Sequence, residues 1–239
     1  MSNPSEYGGA VYTQSGEVVH NRICSFNCFT SNWGQYCYSC TLSGSFKNYF
    51  IESTLSRPSA NTIGGAPIYF LRGIEFLTKV NISYFKTNTR CGYQFQSGQL
   101  ESNSTYNSII NNTSTDKYCL RNYNFQTLKI FRCSIINNSV KDQVINNYQC
   151  NLLTVEECNI IDNSGNNTFS IEESGQTKVF NCYLRKNEAT RGNVIFSNRY
   201  NKEINNEIKH LSTALCLTKA PILINRQTIS NDFEFINLF

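Results

Sequence analysis

Cysteine is the residue type whose spacing in this chain first suggests chemistry. Four cysteines lie close together near the N-terminus, in the phrases CSFNC (24–28) and CYSC (37–40). Thiolates at these C-x3-C and C-x2-C spacings could bind zinc tetrahedrally, although the C-x3-C half is unusual for such a site. The alternatives are a disulfide among Cys37, Cys40 and their neighbours in an oxidising compartment, or free thiols that pack as small hydrophobes. The buried-thiol interpretation is favoured, so we assign no metal ligand and no cofactor.

Carboxylates and histidines are the other side chains that could do chemistry. Enzymes that cleave polysaccharides need acidic groups clustered on one surface. The side chains considered for this role are Asp116, Asp142, Asp162, Asp232, Glu156, Glu157, Glu172, Glu173, His20 and His210. The aspartates are far apart in the sequence, the histidines stand alone, and one glutamate of each adjacent pair must face solvent. A charged solvent-facing surface is the favoured interpretation, so no catalytic residue is assigned and the chain is predicted not to be an enzyme.

Composition narrows the classes of partner. The formal net charge is +4, but Lys and Arg are scattered, and the longest basic clusters are pairs such as Arg185-Lys186. This pattern does not indicate nucleic-acid binding. No run of about 20 apolar residues is present, so no transmembrane helix is expected. The opening segment MSNPSEYGGAVYTQSG lacks a basic region followed by an apolar region, so no secretory signal is predicted and the sequence by itself favours the cytoplasm. The oligomeric state is left open.

A repeat of about 24 residues predicts the architecture, because a fixed period of this length is typical of solenoid folds. The phrase FRCSIINNS (131–139) returns as EECNIIDNS (156–164) and, more loosely, as FNCYLRKNE (180–188). Each period contains three short apolar segments rich in Val, Ile, Phe and Tyr, which is typical of strands. Asn, Ser and Gly between the segments favour turns, and Asn makes up about one residue in seven. The sequence therefore predicts an all-β, right-handed parallel β-helix of eight to ten turns.

The same repeat predicts which side chains stack on one another along the helix axis. Equivalent residues of successive turns lie about 4.8 Å apart. We expect three inward or corner columns, and their members are Cys133, Cys158 and Cys182; Ile135, Ile160 and Leu184; and Asn138, Asn163 and Asn187. Stacked asparagines can hydrogen-bond to the next turn, so the excess of Asn is interpreted as structural.

Two phrases near the N-terminus carry a resemblance to a known family. Gly8-Gly9-Ala10-Val11 is followed by Phe29-x-x-Asn32, and Gly64-Gly65-Ala66-Pro67 is followed by Phe85-x-x-Asn88, at the same separation. These phrases resemble the GGA[ILV] and FxxN repeats of polymorphic outer membrane proteins. In the later turns Ile135, Ile160 and Leu184 are interpreted as replacing the Phe. The chain is also similar to Asn- and Cys-rich β-helix proteins of trichomonad protists. The resemblance covers about residues 8–200 and implies a surface or adhesion protein.

These observations combine into one architecture and two functional hypotheses. We expect a single β-helix domain over residues 1–239, most regular at 80–200, with an irregular insertion at 33–62 and an irregular or truncated end at 201–239. The favoured function is a non-enzymatic scaffold that binds an unknown protein or glycan, in the cytoplasm by sequence or at the cell surface by resemblance. The alternative is a carbohydrate-active β-helix enzyme of the lyase or hydrolase type.

Overall fold

The fold is a parallel β-solenoid, as the repeat predicts. A computed structural model describes residues 7–14, 16–57, 64–98, 101–186 and 189–206. Within these residues all regular structure is β-strand, arranged in sheets of 13, 7 and 3 strands whose pairings are parallel. The described part of the chain contains no helix long and apolar enough to span a membrane.

The strands form four faces around a narrow core, and the largest sheet supplies the first two. First-face strands are β1 (Val11–Gln14), β4 (Cys37–Cys40), β10 (Tyr93–Gly98), β14 (Tyr118–Tyr123) and β22 (Thr190–Arg191). Second-face strands are β2 (Val18–Asn21), β5 (Lys47–Ile51), β11 (Ser102–Thr105), β15 (Thr127–Phe131) and β23 (Val194–Ser197). Three long strands bend across both faces: β7 (Ile68–Thr78), β18 (Gln143–Glu156) and β20 (Asn167–Phe180).

Shorter strands close each turn. The third face contains β3 (Cys24–Phe26), β6 (Thr54–Ser56), β8 (Asn81–Ser83), β12 (Ser108–Ile110), β16 (Ser134–Ile136), β19 (Asn159–Ile161) and β21 (Tyr183–Arg185). The fourth face contains β9 (Lys86–Thr87), β13 (Thr113–Ser114) and β17 (Ser139–Val140). The predicted three strands per turn are therefore joined by a short fourth strand in the middle of the molecule.

The length of a turn decreases along the chain. The residues paired in order across the third face are Ser25, Leu55, Ile82, Ile109, Ile135, Ile160 and Leu184. Their sequence separations fall from 30 at the first pair to 24 at the last, with two equal separations of 27 between them. The average turn contains roughly 26 residues. The predicted period of about 24 residues therefore describes only the last turn. The expected eight to ten turns are corrected to about six. The early turns use more residues than the repeat suggests, and residues 207–239 lie outside the described part.

Residues 33–57, the described part of the segment 33–62, belong to the solenoid. They include β4, β5 and β6, which pair in register with strands on both sides. The extra length lies in the connections, such as residues 41–46 between β4 and β5. The C-terminal region 201–239 is described only as far as residue 206, where no regular strand is present.

The core is a set of apolar columns, one residue per turn. In the third-face column Leu55, Ile82, Ile109, Ile135 and Ile160 are all fully buried. Burying each aliphatic side chain contributes about 1.5–3 kcal/mol, and no single turn could bury it alone. The predicted Ile135–Ile160–Leu184 column is therefore confirmed, with Leu184 partly buried against the core at one end.

The cysteine column occupies the position directly before each third-face strand. Cys133 and Cys158 are fully buried, and the Cys133 N–H donates to the Cys158 Sγ at 3.3 Å. The Cys158 N–H donates to the Cys182 Sγ at 3.4 Å, and all three residues carry free thiols. In the preceding turn Asn107 takes the same position, donating its Nδ2–H to the Leu77 carbonyl at 2.9 Å. The cysteine and asparagine side chains thus have the same structural role, which is to form hydrogen bonds with the backbone of the neighbouring turn.

The asparagine column occupies the next corner and follows the same logic. The Asn112 N–H donates to Asn138 Oδ1 at 3.1 Å, and the Asn138 N–H donates to Asn163 Oδ1 at 2.9 Å. Each Nδ2 also donates to a carbonyl of the preceding turn, as from Asn138 to Ile109 at 2.8 Å. The predicted hydrogen-bonded asparagine column is confirmed for Asn138 and Asn163, and Asn187 lies outside the described residues.

The two Phe-x-x-Asn phrases are not equivalent in the structure. Phe85 is buried and lies in the asparagine column, because its N–H donates to Asn112 Oδ1 at 2.9 Å. Phe29 is 42% exposed. Ile135 pairs in the column of Ile82 and not in that of Phe85, so the interpretation of Ile135 as a replacement for that Phe is wrong. The mismatch arises because Phe85 lies in the corner after β8, whereas Ile135 lies within β16.

The glycine pairs have a definite backbone role. Gly8 adopts a φ of 65° and Gly64 a φ of 62°, both in the left-handed region that favours glycine. A Cβ on Gly64 would lie 2.3 Å from the Thr30 carbonyl oxygen of the adjacent turn. The glycines therefore allow two turns to approach closely where the chain enters the first face.

Candidate functional site

The cysteines near the N-terminus lie in different environments. Cys37 is fully buried, and its Sγ lies 3.4 Å from Nε2 of His20. Burial raises the pKa of the Cys37 thiol well above its usual range and lowers the pKa of His20 to about 4. Cys28, Cys37 and Cys40 carry free thiols, so the disulfide considered among Cys37, Cys40 and their neighbours does not form between these three residues, whereas Cys24 is disulfide-bonded. Among the described residues, no group of three or more His, Cys, Asp or Glu side chains is arranged to hold a metal ion.

Several acidic side chains form ion pairs at the outer surface. Glu156 pairs with Lys129 at 2.6 Å, and Glu157 pairs with Arg132 at 2.5 Å. These partners belong to the neighbouring turn, so the pairs tie successive turns together.

The other acidic side chains considered in the sequence lie in several different environments. Asp162 pairs with Arg185 at 2.6 Å, which lowers the pKa of Asp162. Glu173 is exposed and accepts hydrogen bonds from Tyr148 and Gln149. Asp232 and His210 lie outside the described residues. Glu172 is different, because its contact with Gln143 at 3.0 Å places it on the outer surface of the first face.

That outer surface brings together many aromatic, amide and charged side chains. We call it the aromatic trough. Its side chains are Tyr7, Tyr12, Trp33, Tyr38, Tyr69, Arg90, Gln94, Gln96, Tyr118, Arg121, Tyr123, Gln143, Asn146, Tyr148 and Glu172. Alternation along a strand directs these side chains away from the core.

Stacked aromatic rings form one end of the trough. Tyr12, Tyr38 and Tyr69 occupy the same position in three successive turns. The ring centroids of Tyr12 and Tyr38 are 5.5 Å apart and those of Tyr38 and Tyr69 are 5.0 Å apart, both pairs nearly parallel. Tyr7 and Trp33 pack beside this stack, at 4.9 Å from Tyr38 and 5.6 Å from Tyr69. The result is a continuous aromatic surface across three turns, with Tyr12 half exposed.

Two arginines extend this aromatic surface toward the C-terminal end of the solenoid. The Arg90 guanidinium lies 4.5 Å from the Trp33 ring centroid and 5.8 Å from that of Tyr118. The Arg121 guanidinium lies 5.4 Å from the same Tyr118 ring and 5.0 Å from Tyr123. Such contacts stabilise a cation on an aromatic face. No salt bridge joins either arginine to another described residue.

Amide side chains line the floor between the rings. The Tyr69 hydroxyl donates to Gln96 Oε1 at 2.5 Å, and the Gln94 Nε2–H donates to the same oxygen at 2.9 Å. The Asn146 Nδ2–H donates to Gln143 Oε1 at 2.8 Å. The site is therefore built from groups that both donate and accept hydrogen bonds.

Strand β18 bends where it contributes to this surface. Val144 and Ile145 are consecutive and both buried, so the strand cannot be flat there. Gln143 and Asn146 flank the bend, and their hydrogen bond shows that their side chains converge on the outer side.

A cleft continues the trough at the corner between the first and second faces. Its volume is about 580 Å3. It lies beyond the stacked rings of Tyr123 and Tyr148, whose centroids are 4.8 Å apart. Its polar lining includes Ser45, Asn124, Gln126, Gln149 and Asn151. The cleft therefore extends the amide-lined surface past the end of the rings.

Several polar atoms in the trough are buried without a hydrogen-bond partner. They are Gln94 Oε1, Asn146 Oδ1, Arg90 Nε and Arg121 Nε. A buried polar atom without a partner costs about 1–3 kcal/mol, and such groups need an explanation when they cluster.

Together these features define a parallel β-solenoid protein with an aromatic, amide-lined and arginine-containing trough on one face. Comparisons with models of protein families, with curated proteins and with solved structures find no match. The likeness to polymorphic outer membrane protein repeats and to trichomonad β-helix proteins therefore rests on the motifs alone.

Proposed function

We propose that the protein is a non-enzymatic scaffold that binds glycans in the aromatic trough, in an adhesion role. The observation that carries this proposal is the combination of stacked rings with two amides, Gln94 and Asn146, whose side-chain oxygens have no hydrogen-bond partner. Aromatic rings offer flat apolar area against the C–H face of a sugar ring. Amides such as Gln94 and Asn146 can pair with sugar hydroxyls as donor or acceptor.

The length of the trough favours a chain-like ligand. The column from Tyr12 to Asn146 crosses six turns, which stack about 4.8 Å apart. The surface is thus roughly 25 Å long, enough for several sugar units in an extended glycan. A nucleic acid is disfavoured, since its phosphates require a basic stripe and the trough contains two arginines together with Glu172.

The alternative of a carbohydrate-active enzyme has less support. Such enzymes place two carboxyl groups within about 5–10 Å across the bond to be cleaved. Glu172 contacts Gln143 and its neighbour Glu173 accepts a hydrogen bond from Tyr148, so both carboxylates at the trough come from one strand and are not placed opposite each other. Glu156 and Glu157 are engaged by basic partners elsewhere. A second carboxylate positioned opposite Glu172 would be needed to support this alternative.

A glycan array with two matched tyrosine variants tests the proposal. Tyr38→Ala removes a ring from the stack, whereas Tyr84→Ala removes an exposed ring at a corner away from the trough. We expect the wild type to bind a set of extended glycans and Tyr38→Ala to bind them about tenfold more weakly, which corresponds to ~1.4 kcal/mol. Tyr84→Ala should bind as the wild type does. Absence of glycan binding, or equal loss in both variants, would contradict the proposal.

A further inference from the structure

The arginine pair in the trough indicates which class of glycan would bind. Arg90 and Arg121 share one ring, that of Tyr118, at 5.8 and 5.4 Å. Two like charges held this close to the same ring repel each other, and neither has a carboxylate partner among the described ion pairs. An arrangement of this kind is costly unless an anion lies between the two groups.

The two arginines are held in place by the fold. Arg90 is 4% exposed and is packed between Trp33 and Tyr118. Arg121 rests on Tyr118, Tyr123 and Tyr148 at 5.0–5.6 Å. Because the rings fix both guanidinium groups, little side-chain entropy would be lost when a ligand binds.

Each guanidinium group also has an N–H donor without a partner, and Arg90 keeps its positive charge. The Nε–H of each is buried without a hydrogen-bond partner. Burial, with the nearby Arg121 charge, lowers the pKa of Arg90 to about 10, so this side chain is still a cation at neutral pH. A guanidinium presents its donors in a planar fork that matches the two oxygens of a carboxylate.

We infer that the trough binds an acidic glycan, and that Arg90 and Arg121 together receive the carboxylate of a uronic acid unit. This inference rests on the proposed glycan-binding function and adds its substrate class. The neighbouring sugar units would lie on Tyr38 and Tyr69 on one side and on Tyr148 on the other.

The surrounding acidic groups favour a uronic acid over a densely sulfated chain. Glu172 lies in the trough, and Asp116 and Asp142 act electrostatically on Arg90 and Tyr118 respectively. These negative charges would repel a ligand with several anionic groups per sugar. One carboxylate per unit, placed at the arginine pair, satisfies the cations without facing the acidic groups at close range.

The test compares acidic oligosaccharides with their neutral counterparts. The probes are hexasaccharides of galacturonate, glucuronate, mannuronate and guluronate, the carboxyl-reduced form of each, and a sulfated hexasaccharide. The variants are Arg121→Gln and Arg90→Gln, with Lys178→Gln as a control that removes one exposed charge from the second face. Calorimetric titration at two salt concentrations measures binding, and thermal unfolding checks that each variant is folded.

We expect at least one oligouronate to bind the wild type at least tenfold more tightly than its carboxyl-reduced form. This preference should be lost in Arg121→Gln, kept in Lys178→Gln and weakened by salt. The Arg121→Gln variant decides the question if Arg90→Gln fails to fold, because Arg121 is less buried. Equal binding of acidic and neutral probes, or tighter binding of the sulfated probe, would overturn the assignment of a uronic acid ligand and leave the proposed function intact. Binding of no probe would overturn both.

Discussion

Burial inside the solenoid changes the protonation of two side chains in opposite directions. Glu75 is fully buried on the second face, and burial raises its pKa well above the usual value of 4.5, while the nearby Asn48 offsets part of this effect. His20 stacks on Phe50 at 5.0 Å, and burial lowers its pKa from 6.5 to about 4. Both side chains are therefore neutral in the folded protein between these two shifted pKa values.

The two shifts have opposite consequences for stability. Glu75 keeps its proton in the folded state, so its contribution is present below about pH 4.5 and is lost as the pH rises. His20 stays unprotonated in the folded state, so its contribution is present above pH 6.5 and is lost as the pH falls toward 4. Comparing the stability of a variant at one of these residues with that of the wild type at each pH isolates the contribution of that residue.

The substitution Glu75→Gln is expected to stabilise the protein at neutral pH. Glutamine has a similar shape but cannot ionise, so the folded state no longer competes with an ionised unfolded chain. We expect the free energy of unfolding at pH 7 to rise by about 1–3 kcal/mol, the scale of a buried polar group without adequate pairing. The gain should shrink at pH 4. Denaturant unfolding at both pH values measures it.

The exposed residue Glu101 provides the control for this experiment. Glu101→Gln makes the same chemical change at the surface and should alter the free energy of unfolding by less than about 0.5 kcal/mol. A Glu75→Gln variant that is less stable than the wild type at pH 7 would show that the carboxylate is ionised and paired in the folded protein.

At the scale of elements, the corner columns hold neighbouring turns in register. Asn107 and Cys133 occupy consecutive positions of one column, and each side chain accepts a hydrogen bond from the backbone N–H of the preceding turn. Each also donates to a carbonyl of that turn. The two residue types can serve the same column because an amide and a thiol can each donate and accept there.

Removing one member of the asparagine column should be costly. Asn138→Ala would leave the Asn112 N–H and Nδ2–H without the oxygen they share, and would remove the side-chain donor to the Ile109 carbonyl in a buried corner. With about 1–3 kcal/mol for each buried group, we expect the free energy of unfolding to fall by roughly 2–4 kcal/mol. Thermal or denaturant unfolding provides the measurement.

Asn166 is an exposed asparagine in a connection and provides the matched control. Asn166→Ala should change stability by less than about 0.5 kcal/mol. If both variants lost the same stability, the column would not hold the turns together and the excess of Asn would need another explanation.

These columns are also the part of the structure that could be predicted from the sequence. Cys133, Cys158 and Cys182 follow one another at nearly equal intervals, so a simple period places them in one column. The aromatic trough could not be found in this way, because Tyr12, Tyr38 and Tyr69 are unequally spaced along the chain. Loops of unequal length hide the alignment, which only the strand pairing reveals.

At the scale of the whole molecule, one face differs from the others. The second-face and third-face corners show ion pairs between turns, such as Arg22 with Glu52 at 3.2 Å. Such exposed pairs contribute little to stability. The first face instead collects rings, amides and two arginines without carboxylate partners among the described residues. Because the turns are repetitive, a surface that departs from the repeat in this way is best explained by a ligand.

The most direct measurement for this account is oxidative footprinting of the tyrosines, with and without a saturating glycan chosen from the array. Hydroxyl radicals modify exposed rings, and mass spectrometry reports the rate for each one. If the glycan binds in the trough, Tyr12, Tyr38 and Tyr148 should be oxidised more slowly when it is bound. The exposed rings of Tyr84, Tyr106 and Tyr200, which lie away from the trough, should be oxidised at an unchanged rate. Protection of these three rings, with none at Tyr12, Tyr38 and Tyr148, would contradict the assignment of the trough as the binding site.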